Sequence, residues 1–176
     1  MTRAAAPTAT GTATPRRLGR RARKTTLVVH IVTAGVWLGL DVAMAVLVAT
    51  AWLTDDRFVV TACYTALAAV TGWPLLAAGV GCLLSGVVLG LGTRYGLVRY
   101  WWVVVKLAIA VVFVALVVVL LWPAVEQAAG QGRAAGGAPA TDVARALLFP
   151  PIVSTTGLLV ATTLAVLKPW GRIRRR

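Results

Sequence analysis

Residues 27–53, LVVHIVTAGVWLGLDVAMAVLVATAWL, decide how the whole chain is read. Only two side chains in this stretch are ionisable, His30 and Asp41, and the remainder is almost wholly aliphatic, small or aromatic. About 20 such residues suffice for a helix to cross the roughly 30 Å of a bilayer's hydrocarbon. The run is also longer than the apolar core of a secretory signal, about 7–15 residues, so it reads as a retained span rather than a cleaved leader.

Working outward, the acidic turn Thr54, Asp55, Asp56 closes this span, and three further apolar blocks follow at 58–91, 100–122 and 147–167. The block at 58–91 exceeds one crossing, so it is either one long tilted helix or a short interfacial piece followed by a span, with a kink near Pro74. Pro123 stops the third block, and the Gly- and Ala-rich residues 124–144 read as loop. In the fourth, Pro150 and Pro151 fall in the first turns, where proline is tolerated. The fold expected is all-α: a polytopic membrane protein, a bundle of four transmembrane helices over 25–170. Disordered basic tails at 1–24 and 171–176 flank it.

Composition agrees. Of 176 residues, 59% are hydrophobic and 13% charged, against about 45–50% and 25% in soluble domains. The net charge of +13 collects at the ends of apolar blocks, so it reports topology and not nucleic-acid affinity. Two cysteines, one histidine and two methionines are too few for an iron–sulfur cluster, a zinc cage or a multi-site copper path. Cys63 and Cys82 would lie about 28 Å apart on a continuous helix, too far for a disulfide.

Fourteen of the eighteen basic residues sit in the N-terminal tail, the loop holding Arg94 and Arg99, and the C-terminal end. The other two loops hold only Arg57, Arg133 and Arg145. Short loops rich in Lys and Arg stay on the cytoplasmic side, which puts both termini inside a plasma membrane crossed four times. Trp52 and Trp122 then mark the outer interface, and Tyr100, Trp101, Trp102 and Trp170 the inner one.

Ionisable residues within spans are costly and therefore candidates for function: His30, Asp41 and Lys106. His30, Ala34, Trp37 and Asp41 are spaced four, three and four apart and share one helix face. Gly35 and Gly39 form a small-xxx-small pair that lets a neighbouring helix approach closely. Asp41 lies about 14 residues, or about 21 Å, into its span, where a bare carboxylate is costly and must be neutral or well hydrogen-bonded. Counting inward from the span ends sets Asp41 level with Ala78 and Ser154. Its expected partners are Ser154, Thr155 or backbone freed by Pro74. The same count sets Lys106 level with Thr33 and Gly86, near the depth of His30. On the residues alone, His30 reads as an imidazole bonded to a neighbouring helix, Lys106 as a cation reaching for the interface, and Trp37 and Trp73 as packing aromatics. The glycines at 90, 92 and 96 follow no strand and match no nucleotide-binding spacing, so they read as a turn.

His30 with Trp37, Leu38 and Gly39 resembles the start of the copper-resistance D-like membrane proteins and of the haem-associated membrane protoporphyrinogen oxidases. Trp102 to Leu107 resembles the Trp-x3-Lys-Leu string of the latter. The succession of these residues with Gly86, the segment Gly92-Thr93-Arg94-Tyr95-Gly96 and Lys168-Pro169 is similar to an uncharacterised bacterial four-helix membrane family related to both. This resemblance covers roughly residues 25–170 and implies haem association at His30, with the family's helix-three lysine at Lys106. The chain has no second histidine and no arginine late in its first helix.

Together these readings describe a small accessory or structural membrane protein, not an enzyme in its own right, with no catalytic residue, protein metal site or nucleic-acid partner. Two alternatives come from other classes: a haem b-binding redox or haem-biosynthesis protein using His30, and a transporter or proton-path component using Asp41. The partners implied are the lipid bilayer and either a second copy of this chain or another membrane protein. The topology has a direct check. Green fluorescent protein fused after Arg176 should fluoresce and alkaline phosphatase fused there should be inactive, the reverse holding for fusions at Asp55; phosphatase activity after Arg176 would invert the orientation.

Overall fold

The computed structural model describes residues 18–92, 97, 100–135 and 141–167. Residues 1–17 of the expected N-terminal tail, the expected tail at 171–176 with residues 168–170 before it, Arg94, Arg99 and the centre of the 123–145 loop lie outside the described residues. The chain is all-α. Its helices are α1 (Arg20–Leu53), α2 (Arg57–Thr71), α3 (Trp73–Gly92), α4 (Trp101–Leu116), a π-helical turn (Val117–Leu121), α5 (Trp122–Ala135), α6 (Thr141–Ala146) and α7 (Phe149–Leu167). Taken as continuous rods they make four helices long and apolar enough to cross a membrane.

Helix α1 starts at Arg20, so residues 20–24, expected to be disordered, are helical. Extending a helix from an apolar span that already exists adds one hydrogen bond per residue without a new nucleus, and Arg, Ala and Lys are good helix formers. The extension is anchored too: Leu18 N–H donates to the Gly92 carbonyl at 3.2 Å, tying the start of α1 to the end of α3. Asp56 begins α2 by accepting the Phe58 N–H at 2.8 Å, while Thr54 accepts the Asp56 N–H at 3.2 Å.

The long second block is two helices that meet at Gly72, whose ψ of −121° breaks the helical path. Pro74, with no N–H to give, falls in the first turn of α3, where none is needed.

Residues 124–134 differ from the loop expected of them: the helix passes through Pro123 and runs to Ala135. The π turn just before the proline widens the hydrogen-bonding ring, Trp122 N–H donating to the Val117 carbonyl five residues back, and so accommodates the pyrrolidine ring. Val125, Ala128, Ala129 and Gly132 recur at helical spacing and are all buried, so Gly132 sits in a packed seam, while a Cβ on Gly130 would meet nothing within 4 Å.

Helices α1, α3, α4 and α7 close a four-membered ring in that order, with α7 returning to α1; α2 packs across the far half of α1 and against α5. The core runs through Trp37, Met44, Leu67, Leu75, Val125 and Leu147. The outside is apolar as well: Ile31 is 60% exposed, Val46 58% and Val119 67%, a surface suited to lipid and not to water.

Gly35 and Gly39 do not receive a neighbouring helix. Both are exposed, and a Cβ placed on either would meet nothing within 4 Å. At 100° per residue each lies about 160° around the helix from Trp37, so turning Trp37 inward turns both glycines out. The close approaches use other glycines. A Cβ on Gly79 would stand 3.1 Å from Val114 and 3.3 Å from Trp37, and Gly157 cedes its Cβ space to the ring of Phe113. Accordingly, Gly79→Val should lower stability by about 1–3 kcal/mol through overpacking, whereas Gly35→Val should stay within about 0.5 kcal/mol. Thermal unfolding of both variants in detergent checks this; equal losses would refute the assigned faces.

Candidate functional site

Two polar layers cross the bundle, both carried by the inward face of α1. The first lies toward the end where the chain termini enter. His30 Nδ1 is 3.0 Å from the Cys82 carbonyl oxygen and 3.0 Å from Ser85 Oγ, both on α3. A carbonyl only accepts, so Nδ1 carries the proton, and the lone pair of the ring is on Nε2. Ser85 in turn donates to the Gly81 carbonyl at 2.6 Å. Gly86 makes the contact feasible, because a Cβ there would come within 3.2 Å of the imidazole Cε1. Thr33 donates to the Val29 carbonyl of its own helix at 2.8 Å and also reaches the Cys82 side chain of α3.

Lys106 of α4 stands close enough to His30 and Cys82 to interact with both electrostatically. It is half-buried and, among the described residues, makes no hydrogen bond or ion pair. Depth counting thus brings His30, Thr33, Gly86 and Lys106 together, while Ser85 and the Cys82 carbonyl, which hold the imidazole, were not foreseen. Ser85 sits one residue from the position the count selected.

The second layer lies toward the far end. Asp41 is 1% exposed, and Ser154 Oγ of α7 donates to its Oδ2 at 2.7 Å. Thr155, named beside Ser154 in the sequence, is half-buried and makes no bond to the carboxylate. Oδ1 has no hydrogen-bond partner among the described residues. Between the layers stands Trp37, edge-on to Phe113 at 6.5 Å between ring centres; its Nε1–H, like the Thr71 hydroxyl, is buried without a partner among the described residues.

Beside Asp41 and Ser154 opens a cavity of about 340 Å³. Phe113, Leu121, Leu147 and Phe149 are among its walls, and Asp41 and Ser154 supply the polar side chains of its lining. The π turn contributes Val117, Leu120 and Leu121. Such turns recur at functional sites because the local bulge redirects side chains that a regular helix would stack. Neither cavity nor turn was legible as a site beforehand: each depends on how α4 continues through Pro123. Cys63 and Cys82 are both buried and free.

Compared with protein-family models, curated proteins and solved structures, the chain matches none.

The Asp41–Ser154 bond has a measurable signature. Ser154→Ala alone should cost about 1–3 kcal/mol, because it strips a buried acceptor of its donor. With Asp41→Leu also present the loss should be smaller than the sum of the singles, by about 1 kcal/mol as found for intramembrane bonds. A double-mutant cycle by unfolding in mixed micelles checks it; strict additivity would mean that the bond contributes nothing.

Proposed function

We propose that this chain is a non-catalytic accessory protein of the plasma membrane, with both termini cytoplasmic, and that it holds an apolar molecule drawn from the lipid phase in the cavity beside Asp41. The observation that carries this reading is the cavity itself. Its volume of about 340 Å³ falls in the range of ligand pockets, about 300–1,000 Å³, and its make-up is theirs: apolar and aromatic walls with a few placed polar groups. Its position supports entry from hydrocarbon, since Phe149 and Val153 both line it and lie on the apolar exterior.

The test uses 1-adamantanol, a compact apolar probe with one hydroxyl. In phosphatidylcholine nanodiscs the labelled probe should bind saturably, one per chain, above protein-free discs. Ala124→Phe, which puts a ring into the cavity from its wall, should reduce that binding at least tenfold. Binding that is unsaturable, or unchanged in the variant, would refute the reading.

A second reading is favoured by one specific contact. The Nδ1–H of His30 is engaged by the Cys82 carbonyl, a hydrogen bond of the kind that orients a metal-binding histidine and presents Nε2. His30 through Nε2 and Lys106 as a cation for a propionate would hold a haem, and the group would supply one-electron redox chemistry. Haem added to the purified protein should then give a Soret band that His30→Ala removes. The absence of such a band would end this reading.

A further inference from the structure

We infer that the occupant of the cavity is an amine: an apolar molecule bearing a single ammonium group, held by Asp41. This rests on the cavity reading and adds the chemistry of the polar end. A buried carboxylate has two oxygens to satisfy. Ser154 satisfies Oδ2 at 2.7 Å, and Oδ1 has no donor among the described residues. Among the described residues the buried polar atoms without a partner are Trp37 Nε1 and Thr71 Oγ1, so Oδ1 is not one of them, and Asp41 is part of the cavity's lining. The lining contains no Lys, Arg or His, so nothing within the cavity balances a carboxylate. What the site lacks is one hydrogen-bond donor carrying positive charge, attached to a body that fits apolar walls.

The walls suit the same ligand. Phe113 and Phe149 place aromatic rings in its walls, and aromatic rings attract a cation and the polarised CH groups beside it. Phe113 is held in place from two sides, edge-on to Trp37 and seated over Gly157. An ammonium donating to Oδ1 would complete an arrangement in which Ser154 orients the carboxylate, a charge-assisted bond strengthened by the low dielectric around it.

The experiment compares 1-adamantanamine with 1-adamantanol, matched in body and differing in the polar group, on the full chain in phosphatidylcholine nanodiscs. Wild type should hold the amine at least tenfold more tightly than the alcohol. Asp41→Asn should bring the amine down to the level of the alcohol, and Ser154→Ala should weaken the amine preference, because it removes the group that orients the carboxylate. Circular dichroism confirms that each variant is folded. Equal affinity for the two probes in wild type, or a tenfold preference that survives Asp41→Asn, would overturn the inference while leaving the cavity reading intact. Failure of both probes to bind would overturn the cavity reading and this inference with it. Adding phosphatidylethanolamine to the discs separates two sources of the ammonium. Competition against 1-adamantanamine assigns the site to a lipid headgroup, and unchanged binding assigns it to a free amine; either result upholds recognition by Asp41.

Discussion

Hydrocarbon offers no hydrogen bonds, so an ionisable side chain on α1 that enters it is stabilised by a partner inside the bundle. That constraint sets the rotation of α1, and the rotation sets nearly everything else. With His30 and Asp41 on one face, α1 satisfies them by placing α3 where the Cys82 carbonyl and Ser85 meet the imidazole, and α7 where Ser154 meets the carboxylate. The two clasps act at different depths and on different neighbours, so they fix direction as well as proximity. Helix α4 completes the ring through Phe113, which touches the Trp37 edge and fills the space above Gly157.

Within lipid the hydrophobic effect does not draw helices together, since a neighbouring chain is as apolar as another helix; shape and hydrogen bonding must do so. Glycines appear where large side chains arrive: Gly79 opposite Trp37 and Val114, Gly86 opposite His30, Gly157 opposite Phe113. Each pairs a missing side chain with a ring from another helix. The same pairing explains why Gly35 and Gly39 lack a neighbour: no ring is directed at them.

The number of spans and the depth of the polar residues could be read from the chain, because both follow from length and from the cost of charge in hydrocarbon. Counting residues from the span ends was enough to put Ser154 beside Asp41, and to put Gly86 and Lys106 in the layer of His30. The faces of α1 were less accessible. Gly35 and Gly39 fit a motif whose spacing permits close packing, but their angle from Trp37 excludes it, and the angle carries the greater weight once Asp41 must be buried. Helix α5 was hidden by its own composition: Gly130, Gly132 and the preceding Pro123 read as punctuation, while the buried spacing of Val125, Ala128, Ala129 and Gly132 was the fainter signal. The cavity had no local signature, being a product of four separate segments.

The π turn at Val117–Leu121 also acts as an indexing device. A helix advances by 100° per residue, so accommodating one residue more than a regular α-helical turn shifts the azimuth of everything downstream by about that amount. Before the turn the rod faces α3 and α7; after it, as α5, it faces α2. One continuous strut thereby serves two different sets of neighbours, and the mismatch in register between them is taken up where the cavity opens. The void beside Asp41 is in this sense the geometric remainder of joining two packing registers along a single rod, and it sits at the depth where α1 carries its carboxylate.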